Sequence, residues 1–278
     1  MAVQVTELPA ERIDELRAYL AKDPEQNLYA LGLLEEHALG TGDEARVSAF
    51  GLLDEGKLIG AVVLGGRGGL ALPCVFDPGA AAELGRALAG RIRLRSVLGE
   101  RSAVDALLRA SGCGPARWSC PQRLFAASAD DLGPFVCSGL RLARTQDIPD
   151  VLSMSAAAIK ESLGEDPTVS GPSLLTRRVE ARVATGRTYL YSEGARTVVK
   201  VDVGPRSRQG IELEGLYTLP SDRRKGHATN VLGQLSRTAL GTVKHVTVRV
   251  DEKDAGLSAV CRKVGFTALR PQRLVVIG

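Results

Sequence analysis

The chain has 278 residues, long for one core and comfortable for two domains of ordinary size. Hydrophobic residues at 44% beside charged residues at 24% describe a globular chain and exclude a disordered one. The formal charge is +4, acidic residues are mixed in throughout, and no basic face is interleaved with aromatics, which argues against nucleic acid as a partner.

Periodicity and turn signals place a strand over residues 4–8, helices over 10–21 and 24–39, and a hairpin of strands 47–53 and 57–64 around Asp54-Glu55-Gly56. A strand over 70–76, a helix over 80–89, a strand over 92–98, a helix over 103–110 and a strand over 123–127 follow. Ala, Asp, Gly and Pro then cluster in 128–135, marking a joint that divides the chain into units 1–133 and 134–278. Beyond it the order recurs: strand 140–143, helices 147–162 and 173–184, strands 188–192, 197–203 and 211–219, helix 226–240, strand 245–250, helix 255–263 and strand material over 266–277. Such alternation implies an α/β class with a mixed sheet, helices on both faces, and a duplicated fold.

No apolar run reaches the roughly 18 residues that span a bilayer, so no membrane partner is expected. Five cysteines (Cys74, Cys113, Cys120, Cys137, Cys261) are odd in number and lack metal-ligand spacing. The opening MAVQVTELPA carries no signal-peptide pattern, so reduced thiols in a cytoplasmic protein without a metal are the expectation.

One junction carries chemistry. The apolar strand IELEGLYTLP runs through SDRRKGHATN into the amphipathic helix VLGQLSRTAL. The first amides of a helix lack intrahelical acceptors and lie at the positive end of its dipole. Gly226 and Ala228 keep bulk away from them, and Arg223, Arg224 and Lys225 add positive charge, so the spot suits a phosphate. An ordinary charged loop is the competing reading. The first half offers no equivalent: its strand over 70–76 ends in Asp77-Pro78-Gly79. Gly65-Gly66-Arg67-Gly68-Gly69 leads into a strand and reads as a hairpin connection, not an anion nest.

Arg223-Arg224-Lys225-Gly226-His227-Ala228 resembles the Arg/Gln-x-x-Gly-x-Gly/Ala signature of the GNAT superfamily of acetyl-CoA-dependent N-acetyltransferases. About 30 residues on, the stretch from Ser258 to Phe266, SAVCRKVGF, resembles its second signature, which commonly ends Leu-Tyr-x-Lys-x-Gly-Phe. The resemblance covers residues 138–278; the first half is similar in element order alone, as in tandem GNAT proteins in which one half has lost acetyl-CoA binding. The Glu161–Pro167 segment, ESLGEDP, resembles an uncharacterised bacterial tandem group and fixes no substrate.

The resemblance implies a GNAT-like acyl-CoA N-acyltransferase fold. It implies that amides from Arg224 through Gly226, His227 and Ala228 to Thr229 hold the coenzyme A pyrophosphate. Leu216, Tyr217 and Thr218 then bond the pantetheine arm as a neighbouring strand would, and the thioester lies where the fourth and fifth strands of the unit part. An amide near Leu216 or Tyr217 serves as oxyanion donor. Glu212 falls where some relatives keep a glutamate that takes the amine proton. With Glu214 it shares one strand face, so two solvated carboxylates are the plain alternative. Cys261 replaces the family's tyrosine acid; its thiol, with an ordinary pKa of about 8.5, suits proton donation, and a buried packing residue is the competing reading. Asp254 stands in place of a frequent Asn, and Tyr217, Tyr189 and Tyr191 are unranked substitutes for the acid. His227 either adds a donor or has no specific task. Glu161, Glu165 and Asp166 form an acidic lip for a cationic amine, or a solvated loop.

The resulting expectation is an N-acetyltransferase moving an acetyl group from acetyl-CoA to a primary amine by direct attack in a ternary complex, its first half bracing the site or shaping the acceptor cleft. A non-catalytic acyl-CoA-binding module is the alternative. An aminoacyl-tRNA-dependent transferase is a third reading, opposed by the intact phosphate loop. The acceptor and the oligomeric state are not readable.

Overall fold

The computed structural model describes residues 3–41, 45–66, 69–164 and 172–278. Its first half runs β1 (Gln4–Glu7), α1 (Ile13–Leu20), α2 (Pro24–Glu36), β2 (Val47–Asp54), β3 (Lys57–Gly65), β4 (Leu70–Cys74), α3 (Pro78–Leu88), β5 (Ser96–Glu100), α4 (Arg101–Ser111) and β6 (Ala116–Ala127). The second half repeats that order: β7 (Arg141–Leu142), α5 (Ile148–Leu163), α6 (Pro172–Ala184), β8 (Thr188–Glu193), β9 (Arg196–Arg206), β10 (Gly210–Thr218), α7 (His227–Leu240), β11 (His245–Asp251), α8 (Ala255–Val264) and β12 (Thr267–Ile277). The duplication read from element order is present as two copies of one β-α-α-β-β-β-α-β-α-β series.

All twelve strands form one mixed sheet in the order β1-β2-β3-β4-β5-β12-β6-β11-β10-β9-β8-β7. The two halves exchange their last strands: β12 pairs with β5 from Gln272↔Glu100 to Val276↔Ser96, while β6 pairs with β11 from Val246↔Ala127 to Asp251↔Gln122. β6 and β12 pair with each other at the centre. The sequence reading starts β6 at residue 123; the strand begins at Ala116 because β12, 150 or more residues later, supplies its partner there. Residues 116–120, ARWSC, do alternate apolar and polar side chains, a short strand signal that Pro121 interrupts. The helix expected over 10–21 opens as a 3-10 turn, Ala10–Arg12. β5 begins later than expected because the Arg91 and Ile92 amides still close the end of α3 on the Leu88 carbonyl.

Each half buries one sheet face under its first two helices and the other under its last two. Leu16, Leu20, Leu31 and Leu34 of α1 and α2 close one core, and Leu84, Leu88, Val104 and Leu107 of α3 and α4 close its counterpart. In the second half Val231, Leu232, Leu235 and Val264 seal α7 and α8 against Val199, Val201, Leu213 and Val248. The joint over 128–135 is no free linker. Arg237 donates to the Phe135 carbonyl at 2.9 Å and to the Gly133 carbonyl at 2.5 Å, and the Gly133 amide bonds the Val264 carbonyl at 2.9 Å.

Candidate active site

β10 and β11 run parallel and pair only from Gly210↔His245 to Leu213↔Val248. Beyond that point β11 follows β6 and β10 follows β9, so the two strands part at Glu214 and Arg249. Gly215 marks the departure: its φ of +58° belongs to the left-handed region that glycine reaches without strain, and the β9–β10 register slips between Glu214 and Tyr217.

Where β10 ends, a short turn over Pro220–Asp222 leads to the loop before α7. Asp222 is buried and gathers the loop: its carboxylate accepts from Arg196 Nη1 at 2.5 Å and Nη2 at 2.9 Å, from Lys225 Nζ at 2.8 Å and from Ser221 Oγ at 2.7 Å. These donors, Arg196 first, hold its carboxyl well below the usual carboxylate range. Arg224 has a φ of +64° and Gly226 one of +89°, a backbone path that turns successive amides to one side. The helical ladder starts only at the Asn230 amide, which bonds the Gly226 carbonyl at 3.1 Å. From Arg224 to Thr229 the amides have no acceptor among the described residues. A Cβ placed on Gly226 meets nothing within 4 Å, so the approach is open.

The three basic side chains divide. Arg223 donates to both Glu161 carboxylate oxygens at 3.0 and 2.8 Å, bonds the Thr218 carbonyl at 3.1 Å and lies 5.3 Å over the Tyr217 ring. Lys225 turns back onto Asp222. Arg224, exposed, has no hydrogen bond or ion pair among the described residues. Glu161 also accepts from the Tyr217 hydroxyl at 2.7 Å, so it is engaged with the loop instead of forming a free acidic lip. Glu165 and Asp166 lie outside the described residues, as do Arg67 and Gly68 of the glycine-rich hairpin connection. His227 Nε2 stands 3.3 Å from Glu193 and its ring 5.3 Å from Tyr191. Glu193, Asp222 and His227 bring ligand-type atoms within 4.8 Å of one another, but Asp222 already holds four donors, which suits loop architecture better than a metal.

Glu212 is buried and ion-paired with Arg249 of β11, at the point where the strands part. Burial raises its carboxyl above the usual value; Arg249 opposes the rise and Glu214 adds to it. Glu212 and Glu214 do share a face, as the two-residue period demands, but that face is not open to water across its width: α2 of the first half packs over β9, β10 and β11. Cys261 lies on the opposite face, enclosed with Phe125, Leu213, Val250 and Val264. Burial, then Asp254, pushes its thiol up to about 12. That setting suits packing, and it leaves Cys261 a poor proton donor. Cys261→Ala is therefore expected to lower stability by about 1 kcal/mol through lost packing while leaving thiol release within threefold of the parent, checked by urea titration and a thiol assay. Asp254 caps α8 by accepting the Leu257 amide at 2.8 Å.

The first half shows why its matching junction differs. Pro78 opens α3 and has no N–H, and the Asp77 side chain accepts the Gly79 amide at 3.1 Å. A carboxylate of the chain itself sits where an anion would bind. Sequence reasoning missed Asp222, Arg196 and Arg249; apart from the bonds of Asp222 to its neighbours Ser221 and Lys225, each acts on a partner 25 or more residues away, and no local spacing signals that.

No protein-family model matches the chain, and no curated protein matches it. Solved structures do. An acetyltransferase of the GNAT family from Colwellia psychrerythraea superposes with a TM-score of 0.60 at 11% identity, covering 100% of both chains. A Drosophila protein gives 0.67 at 16% identity over 99% of each chain. A tandem GNAT protein from the clavulanic acid biosynthesis pathway gives 0.57 at 14% identity, covering 100% of this chain and 99% of its own. Identities this low speak for architecture, and the architecture agrees from end to end: the chain has the GNAT fold in its tandem arrangement.

Proposed function

We propose that this protein is an acyltransferase that moves an acetyl group from acetyl-CoA to a primary amine. The observation that carries the reading is the run of amides without acceptors, Arg224 to Thr229, at the mouth of the opening between β10 and β11. A diphosphate fits that concavity, with Arg224 the basic side chain left to meet it and Asp222 holding the loop in shape. Leu216, Tyr217 and Thr218 offer backbone bonds to the pantetheine arm, which aims the thioester into the opening. An amide near Leu216 or Tyr217 polarises the thioester carbonyl.

The amine nitrogen attacks that carbonyl carbon, the carbon–sulfur bond breaks, and the thiolate leaves with the electron pair. An acceptor that arrives as an ammonium first gives one proton, through water, to Glu212, whose pKa burial raises; the nitrogen attacks as the neutral amine, and its second proton passes to the departing thiolate. Residues 1–133 and 134–278 are the proposed units, with donor binding in the second. All five cysteines are free, which fits a reducing compartment.

Titration calorimetry with acetyl-CoA, paired with thiol release over an amine panel, tests the reading. Tight binding and amine-dependent release support it; absence of binding removes it. Asp222→Asn, which loosens Arg196 and Lys225 from the loop, is expected to weaken acetyl-CoA binding on the order of tenfold. Glu212→Gln is expected to lower kcat about 100-fold with acetyl-CoA affinity retained. The enclosure of Cys261 favours one second reading, a non-catalytic acyl-CoA-binding module, for which binding without turnover is the signature.

A further inference from the structure

The two halves meet over the proposed acyl-transfer opening through α2. Glu25, Tyr29, Gly32 and Glu36 fall on one face of that helix by their spacing. At one end Glu25 stands 3.2 Å from His245 of β11. Towards the other, Gly32 lies so close to β9 that a Cβ there would come within 2.5 Å of the Pro205 backbone, and Glu36 pairs with Arg187 at 2.5 Å and accepts the Arg206 amide at 2.7 Å. Tyr29 occupies the middle of this stripe and is half-buried. Burial, then the charges of Glu214 and Glu212, hold its phenol above the usual range, and the charges of Arg182 and Arg249 oppose that rise. It lines a small recess together with Arg249 of β11, where α2 of the first half packs over β9, β10 and β11 of the second.

Those charged side chains have one unmet need. Asp202 is saturated by Arg182 at 2.9 Å, Lys200 at 2.5 Å and Thr188 at 2.7 Å. Glu212 has Arg249. Glu214 gives Oε2 to Arg182 at 2.9 Å, but its Oε1 is the one buried carboxylate oxygen without a donor among the described residues. A buried acceptor left so is unfavourable unless something donates to it. The oxygen has room because position 204 is glycine: a Cβ on Gly204 would stand 2.6 Å from it. Glu214 is also the first residue of β10 beyond the last β10–β11 pair, so a group bound to it is next to the opening.

We propose that the acceptor enters along the seam between the halves as a primary ammonium, which donates to Glu214 Oε1 and is positioned by the Tyr29 hydroxyl. The proposal rests on the acyl-transfer reading above. Tyr29 and Glu214 are acceptor-positioning residues, and the first half, which has lost its own anion junction, completes the acceptor site of the second. The ligand class is a cationic primary amine with a slim aliphatic or aromatic stem.

The test uses the full chain, acetyl-CoA, and putrescine, tyramine and L-lysine as probes. Calorimetry follows acetyl-CoA binding, and thiol release gives KM and kcat for each amine. Glu214→Gln and Gly204→Ala are each expected to raise the amine KM tenfold or more; Tyr29→Ala is expected to raise it at least fivefold, with Tyr29→Phe in between. Acetyl-CoA affinity stays within twofold throughout. Gln26→Ala, which removes a reciprocal amide pair with Gln272 elsewhere on α2, is the control for mere helix docking. If it raises the amine KM as Tyr29→Ala does, or if the Tyr29 and Glu214 variants match the parent, the proposal is overturned while the donor reading stands. Acetyl-CoA binding with none of the three amines accepted also overturns it. Failure to bind acetyl-CoA removes the donor reading itself.

Discussion

A chain ended after Phe266 is expected to lose the fold of both halves, not to shed one strand. β12 fills the slot between β5 and β6, pairing with the first half along one edge and with the strand lent to the second half along the other. Its Val275 is buried in the α3–α4 core, and Leu274 packs against the α1–α2 core on the opposite face. Removing it leaves two strand edges unpaired and opens both cores of the first half. At about 1 kcal/mol for each ladder bond and about 2 kcal/mol for each buried aliphatic side chain, the loss is on the order of 10 kcal/mol. A domain's whole stability is only about 5–15 kcal/mol. Residues 1–133 and 134–278 produced separately should each lack a cooperative thermal transition, and recover one when mixed. A sharp melt from either fragment alone would show that the exchange of β6 and β12 is dispensable.

Arg249→Met is the point substitution expected to do most damage. It strands the buried carboxylate of Glu212 beneath α2, and breaking one side of a buried ion pair destabilises by about 3–5 kcal/mol. The pH dependence has a definite sign. A carboxyl whose folded pKa is raised binds more protons folded than unfolded, so its penalty grows as pH rises from the unfolded value towards the folded one. Glu212 is raised in the parent by burial, and losing Arg249 raises it further. The deficit of Arg249→Met in urea titrations is therefore larger at pH 7 than at pH 5. Adding Glu212→Leu should restore most of the loss, because two apolar side chains in contact need no counter-ion. Equal stability of Arg249→Met and the parent at pH 7 would mean that Glu212 reaches water, and its assigned enclosure would be wrong.

These two predictions share a lesson about what local signals carry. The Gly226 junction was legible because each part of it is local: a strand ends, three basic residues and a glycine follow, and a helix begins. The absence of a partner junction in the first half was legible for the same reason, since Asp77-Pro78-Gly79 spells a self-capped helix start. The side chains around the loop were not. Arg223 and Lys225 look alike in sequence, yet one is taken by Glu161 and the other by Asp222, leaving Arg224 without an ion pair among the described residues. Glu212 and Glu214 look alike too, and only the placement of Arg249, Arg182 and α2 distinguishes them.

By itself the amino-acid order determined the element series, its duplication, the glycine-opened start of α7 and the self-capped start of α3, because capping, turn chemistry and periodicity act within a few residues. Only the tertiary structure decided that the halves trade their final strands, that α2 lies across the other half's sheet, and which carboxylate is saturated and which keeps an oxygen unmet among the described residues. Those outcomes depend on pairings between residues often well over a hundred positions apart, such as Gln26 with Gln272, and no short-range rule encodes which distant partner closes a contact.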